Sequence, residues 1–585
     1  MYRVKWQLFL LLLSIKHSRL CCGGSRIVSW PEKCPQISKV GSNIISVVGT
    51  HSHKFSKHAD MNACINGRNE EKCGGFAALQ SDKISIWTWG SRGSGCKKLI
   101  SPSPVSKIVT TDSAFAVLSE SGEVVLAWGN PEHGGTLPST DLTNVEDLYS
   151  NPYAFVALKK TGECVAWGDN EFGGEIPVKV SNEMLSQGPD KVHRIIPSTY
   201  AFAALKSVNS DTSNNMVIPW GHPEYGGLRI VQDCEPHELY PEVILCKNYT
   251  VDALMQGVKT LVANGYGFVA FMNEPGQLTS FGFREYGGNC GRHFSCPING
   301  CIDDNDRVTH VIPSFANFVG LTKGGKAISC GMETWGWNEA KNKVMSEVVE
   351  IFSTHGAFAA LKKDKTVVTW GDERNGGDSN SVRRRLTNVK SVIGNMLAFA
   401  ALRENGEVVV WGNPAAGGNV EVPVPRCYVR YRRSMNGNVL VHIWVRLQLY
   451  SIDKIYAGSE SFAAVRKDQG VITWGDEAYG AGLCMSFFTE ANQVADQMED
   501  WEKVVNIASS FAGFAAQIKA DESLRLTLLE ERKRASELAA QKKEVVIGSK
   551  GARSDASPIV NKGNYNLKWL SIGFGVAVIA LSAFL

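Results

Sequence analysis

The chain has 585 residues, a length that ordinarily suggests several domains but that a repeat array reaches without adding new cores. Its 61 Lys and Arg stand against 58 Asp and Glu, so a formal charge of +3 provides no electrostatic footprint for nucleic acid and argues against a nuclear role.

The first 24 residues read as a secretory signal: Arg3 and Lys5 precede an apolar run from Trp6 to Ile15, and small residues from Cys22 to Ser25 suit cleavage after Gly24. The run is short for a spanning helix, which makes an uncleaved anchor the lesser reading.

From residue 25 to 518 one unit recurs. Its clearest copy is AFAALKKDKTVVTWGDERNGGDS, Ala357 to Ser379. The apolar block stands at Phe76, Ala114, Ala154, Ala201, Ala357 and Ala398, with weaker copies at Gly267, Asn317, Ser461 and Gly513. A Trp-Gly pair follows at Trp89, Trp128, Trp167, Trp220, Trp370, Trp411 and Trp474, eroded to Phe281-Gly282 and Cys330-Gly331. Ten blocks therefore meet nine Trp-like positions, and the tenth Trp is expected at the other end of the chain, as Trp30 in IVSWPEK. Pairing of Ile27 to Trp30 with Phe511 to Ile518 would close a ring and remove its edge strands. Trp spacings of 39, 39 and 41 residues match one small four-stranded blade. Each AFAAL and VVTW run is short and apolar on both faces, as a strand between neighbouring sheets must be. Gly in the links at Ser119, Lys159 and Arg403 suits a tight hairpin turn, and the Gly pairs at 134/135, 173/174, 226/227, 287/288, 376/377 and 417/418 mark a second turn that a Cβ would obstruct.

This pattern of small-apolar block, Gly turn, VVxWG and second Gly turn resembles the regulator-of-chromosome-condensation repeats, and it covers about residues 26 to 518. The resemblance implies an all-β fold, a β-propeller of about 7 to 10 blades; the family has seven, and Gly-Gly stands here where it has Gly-Gln-Leu-Gly. The chain also looks like secreted propellers of the same repeat class, a membrane-anchored variant of which is expected.

Insertions fall in one connection, between a Gly pair and the next apolar block, near 31–72, 228–258, 289–307, 419–450 and 483–502. Of the thirteen cysteines left after cleavage, eleven lie between a Trp and the next block; only Cys164 and Cys330 lie in strands. In a secreted chain these are disulfide candidates, foremost Cys64, Cys73, Cys234, Cys246, Cys290, Cys296 and Cys301, expected to stiffen one loop face rather than staple the core. Asn248-Tyr249-Thr250, inside an insertion, is the N-glycosylation sequon. The insertion Cys427 to Tyr450 reads as a hairpin turning at Asn436-Gly437. Arg430, Arg432, Trp444 and Arg446 form its candidate binding set, with a solvated edge protected by arginines as the blander reading.

The cluster His51, His53, His58, Cys64 and Cys73 matches no zinc spacing, and no P-loop, G-x-S-x-G or H-E-x-x-H occurs, so no cofactor is expected. Residues 519–547 carry a helix, Asp521 to Val546, read as a stalk with weak self-association as the alternative. A polar linker, 548–568, holds the small triplet Ser554-Asp555-Ala556, and an apolar tail, 569–585, ends without a basic flank. These are the parts of a glycosylphosphatidylinositol (GPI) signal with attachment at Ser554 or Asp555, a short transmembrane segment being the alternative. The expectation is a cell-surface protein that binds an extracellular protein or glycan, as receptor or adhesin. A surface enzyme with its site in the central funnel and a structural coat protein are the rival readings.

Overall fold

A computed structural model describes residues 25–30, 44–49, 75–90, 97–185, 190–228, 230–237, 240–250, 256–288, 290, 294–295, 304–332, 346–419, 449–467, 471–476, 502–510 and 513–520. All of them belong to the unit Met1–Glu522. The hairpin around Asn436, the cluster from His51 to Cys73, the 521–546 helix and the C-terminal signal lie outside the described residues.

The described residues form ten repeats of a three-stranded antiparallel sheet. In the third sheet Val145–Ser150, Ala154–Lys159 and Cys164–Gly168 pair in order, and the eighth repeats this with Val389–Gly394, Ala398–Arg403 and Val408–Gly412. Among the described residues the expected fourth strand appears in the first sheet alone, where Lys97–Ile100 is added. In the second to fifth, seventh and eighth sheets the residues after the Trp position turn away at once. Asn130, Asp169, Asp372 or Asn413 caps a short helical turn, and the next Gly takes positive φ, for example 97° at Gly376.

The AFAAL block owes its composition to burial on both faces. Ala114, Ala116 and Leu118 of the second sheet face the third, where Phe155, Ala157 and Trp167 meet them. The same rule holds for Ala154, Val156 and Leu158 against Phe202, Ala204 and Trp220, and for Ala357, Ala359 and Leu361 against Phe399, Ala401 and Trp411. Thus odd positions of a block receive the next sheet, and even positions enter the previous one. The block's Phe pairs in register with the Trp of the same sheet, as in Phe399↔Trp411, and their rings stack 5.2 Å apart.

Gly pairs complete the socket. A Cβ on Gly376 would lie 2.7 Å from Phe399 of the next sheet, and one on Gly377 would lie 2.2 Å from the carbonyl oxygen of Gly371. Trp411 then donates its indole N–H to the Gly376 carbonyl at 3.0 Å, as Trp167 does to Gly134 and Trp220 to Gly173.

At the sixth sheet the Trp slot holds Cys330, opposite Phe318, and Cys330 is bonded to Cys290, three residues past Gly287. This corrects the expectation for Cys290, because the bridge ties the connection to a core strand. The physical reason is the vacant Trp volume: where the ring is missing, a disulfide spans the same gap between sheets. Cys296 and Cys301, like Cys64 and Cys73, lie outside the described residues.

The connections also need correction. Strand three of each sheet and strand one of the next run the same way, so the link must cross from one face to the other. It starts at the Gly pair and ends beside the opposite hairpin turn, where Val124 N–H donates to Leu142 O at 3.0 Å and Val145 N–H to Gly122 O at 2.8 Å. The insertion hairpin Ile230–His237 and Tyr240–Thr250 pairs Cys234 with Cys246 in register and carries Asn248 opposite Gln232. Its first strand lies beside the turn Arg284–Tyr286. Among the described residues no helix is long and apolar enough to cross a membrane.

First strands of successive sheets are neighbours from Ile44–Gly49 through to Glu502–Ser510, and those two strands also lie side by side. Ser25–Trp30 pairs with Gly513–Ala520, with Trp30 opposite Phe514. That is the Phe↔Trp register of the other repeats. Trp30→Ala is therefore expected to lose about 3 to 5 kcal/mol, the scale expected for Trp411→Ala, whose ring is buried. Urea unfolding of both variants checks this; an unchanged midpoint for Trp30→Ala alone would show that the first strand does not complete the tenth sheet.

Candidate functional site

From the second sheet to the ninth the turn between strands one and two lies at the same end. These eight turns line one cavity of about 690 Å³, among them Thr111, Asn151, Thr199, Asn264, Thr354 and Asn395. Backbone hydrogen bonds join turn to turn: Gly265 N–H to Phe315 O, Phe315 N–H to His355 O, His355 N–H to Met396 O, and Met396 N–H to Ser459 O, at 2.9 to 3.2 Å. The described lining contains no Asp, Glu, Lys, Arg or Cys, and His355 is its one titratable side chain. Among the described residues no group of three His, Cys, Asp or Glu is placed to hold a metal ion.

Beside the cavity runs a band of aromatic rings. One row comes from the residue just before the apolar block, Tyr153, Tyr200 and Tyr266, continued by Phe315 and His355. The second comes from the last residue of the short helical turn, Phe172, Tyr225 and Tyr286, joined by His222 and Phe283 at its cap. Ring centroids are 4.1 to 6.0 Å apart throughout. Tyr153 is buried beneath; Phe172, Tyr200, His222, Tyr225, Tyr266, Phe283 and Tyr286 are half-buried.

The two rows are held in place by the turn residue that opens each block. Asn151 accepts from Tyr153 N–H at 2.9 Å and Ala154 N–H at 2.8 Å while its amide donates to Phe172 O at 2.8 Å. Asn264 does the same between Tyr266 N–H and Tyr286 O. The polar side chains at the cavity wall are thus positioning groups, spent on fixing the rings.

Capping shows where the fold has been set aside. Asn130, Asp169, Asp372 and Asn413 each accept a hydrogen bond at the start of their turn. His222 and Phe283, at the same position in the fourth and fifth sheets, accept none. Each forgoes about 1 kcal/mol of cap stabilisation. In return a ring stands on the surface, His222 stacked on Tyr225 at 4.1 Å and Phe283 on Tyr286 at 5.0 Å.

Of the residues proposed from sequence, Arg430, Arg432, Trp444 and Arg446 lie outside the described residues, as do Ser554 and Asp555. Asn248 is on a strand of the insertion hairpin. Glu407, beside the hairpin turn that follows Arg403, is held by Arg385 and Arg403. Burial would raise its carboxyl, but those hydrogen bonds outweigh burial and hold it below the ordinary range. The aromatic band escaped the sequence reading, although its signal was present: Tyr-Gly-Gly or Phe-Gly-Gly in three consecutive repeats, each with Tyr before the next or preceding block.

Burial, with Tyr153 next in effect, pushes the Tyr200 phenol up to about 12, and burial raises Tyr153 and Tyr266 as well. The unfolded chain ionises Tyr200 near pH 10 while the folded chain keeps its proton. Its contribution to stability is therefore fully present below pH ~10 and is lost as pH rises through about 12. Tyr200→Phe is expected to remove one late-rising tyrosinate from the ultraviolet titration and to soften the alkaline loss of stability; an unchanged titration would place the phenol in water.

No family model matches the chain, and no curated protein matches it. Among solved structures, yeast RCC1 in its complex with Kap60 is 16% identical over 60% of this chain and 84% of its own, with a TM-score of 0.29. The ectodomain of the Physcomitrella patens receptor kinase CR4 is 13% identical over 63% and 74%, with a TM-score of 0.28. Human WBSCR16 is 13% identical over 72% and 88%, also at 0.28. Scores this low carry no argument, and the propeller repeat fold is read from the ten sheets, their register and the order of their first strands.

Proposed function

We propose that the chain is a cell-surface β-propeller of ten blades, closed by its first strand, that binds an extracellular protein or glycan as a receptor or adhesin. The observation that carries this reading is the concentration of half-buried rings beside one neutral cavity on a single face. Aromatic side chains give large contact area at low conformational cost, and they dominate binding hot spots. The described cavity wall holds hydroxyls, amides and prolines, a lining suited to contact rather than to acid–base chemistry, which favours a binder over the rival reading of a funnel enzyme. Closure is supported by the pairing of Ser25–Trp30 with Gly513–Ala520 and by the adjacency of Ile44–Gly49 and Glu502–Ser510. The signal run, the triplet Ser554-Asp555-Ala556 and the tail from Trp569 support delivery to the surface and a GPI anchor.

Beads coated with the full-length protein and counted on intact cells test the face. Replacing Tyr225 and Tyr286 with Ala is expected to weaken adhesion about 30-fold, a hot-spot loss of about 2 kcal/mol, while Glu123→Ala with Glu163→Ala on the opposite hairpin turns leaves it unchanged. Arg430, Arg432 and Trp444 changed together to Ala form a third arm for the hairpin singled out from sequence. The reverse pattern, with loss only at Glu123 and Glu163, would move the partner to the other face.

The anchor has its own test. Phosphatidylinositol-specific phospholipase C is expected to release the protein from intact cells, and mass spectrometry to find a lipid remnant at Ser554 or Asp555. Recovery of the peptide from Trp569 to Leu585 in the mature protein would exclude it.

A further inference from the structure

Comparison among the chain's own repeats narrows the partner. The position before the block is Tyr in the third, fourth and fifth sheets, but Ser113, Ala316, Gly356, Leu397 and Glu460 in others that fold alike. The last residue of the short turn is Phe172 or Tyr225, yet Asn375 and Ala416 serve elsewhere. At the cap, His222 and Phe283 replace residues that make a hydrogen bond in four other repeats. Packing of the propeller does not demand these rings, so their clustering on consecutive sheets is a property of the surface.

Resting on the reading that this face binds a partner, we propose that the band is a site for a neutral oligosaccharide, with sugar rings lying flat on Tyr225, Tyr266, Phe283 and their neighbours. The ring centroids lie 4.1 to 6.0 Å apart, some stacked and some edge to face, so each ring fills the space beside its neighbour. A proline-rich strand needs slots between rings for its pyrrolidines, and a peptide anchor needs a pocket. A pyranose needs neither: one face presents C–H bonds to the negative face of an aromatic ring, and its rim presents hydroxyls. The tyrosine hydroxyls of the band match that rim, and the adjoining wall, free of Asp, Glu, Lys and Arg, leaves the setting neutral. Exposed Glu171, Glu224 and Glu285 stand beside the rings and repel acidic sugars. A carboxylate also occupies this turn position at Glu132, where the turn ends in His133, whereas Arg374 and Ala415 stand there in the seventh and eighth repeats, so a cationic ligand is the rival that the lysine-rich probe tests.

The test uses the full-length protein on an array of neutral, sialylated and sulfated oligosaccharides, with a lysine-rich and a proline-rich peptide as further probes. The informative variants are His222→Asn and Phe283→Asp, which restore the cap of the other repeats and are expected to keep or raise the melting temperature. Selective binding of neutral oligosaccharides, weakened about tenfold or more by either variant, is the expected result. A blank array with folded protein, preference for acidic glycans or for either peptide, or neutral-glycan binding indifferent to both variants would each overturn the assignment. A blank array together with cell adhesion that these variants abolish would overturn the glycan alone and leave the binding face standing.

Discussion

The interaction on which the structure depends is the seating of a Phe–Trp pair from one sheet in a socket of Gly and Ala on the sheet before it. Phe399 and Trp411 stack at 5.2 Å and enter the face formed by Ala357, Ala359 and Gly376. The knob requires bulk and the socket requires its absence, so both halves of the repeat are constrained together. Backbone hydrogen bonds hold each sheet, but between most sheets side-chain packing is the main cohesion, and a Trp indole to a Gly carbonyl is its recurrent polar contact. This accounts for the tolerance of the array to insertions. Any length of chain can be placed after the Gly pair without touching the knob or the socket.

Much of this was legible because the constraint is periodic. The blocks, the Gly turns and the pairing of the Trp30 strand with the last block could be read from the pattern, since each unit repeats the same steric problem, whereas the blade number was left between 7 and 10. What could not be read were the departures from period. A fourth strand per blade seemed required by a repeat of about 40 residues, yet the Asp or Asn cap after the Trp spends those residues on a helical turn. Cys330 looked like a strand residue apart from the disulfides, because its partner depends on the empty Trp slot across the sheet interface and not on distance along the chain. The aromatic band was hidden for a related reason: within each row successive members, from Tyr153 to Phe315 and from Phe172 to Tyr286, are 47 to 66 residues apart in sequence and converge only when successive turns are stacked at one end.

The band also separates two kinds of conservatism within one chain. At the core positions every repeat obeys nearly the same rule, and departures are compensated, as with Phe281 and Cys330. At the cap position two repeats exchange a local hydrogen bond for ring contacts within a half-buried band. A local rule set aside in this way is where function is to be sought.

One feature of the sheets bears on how such a face would behave under load. The fourth and fifth sheets are not merely packed: Asn215 pairs with Val258 across them, and its side-chain amide also reaches the Val258 carbonyl at 2.9 Å, making one continuous six-stranded sheet. Tyr200, His222, Tyr225, Tyr266 and Phe283 all ride on this welded pair. Turn-to-turn backbone bonds join other neighbours too, but here the sheet itself is continuous, so a pull on a bound partner must also break a strand pairing and an amide hydrogen bond. The continuous seam thus lies under the aromatic side chains that would carry the tension.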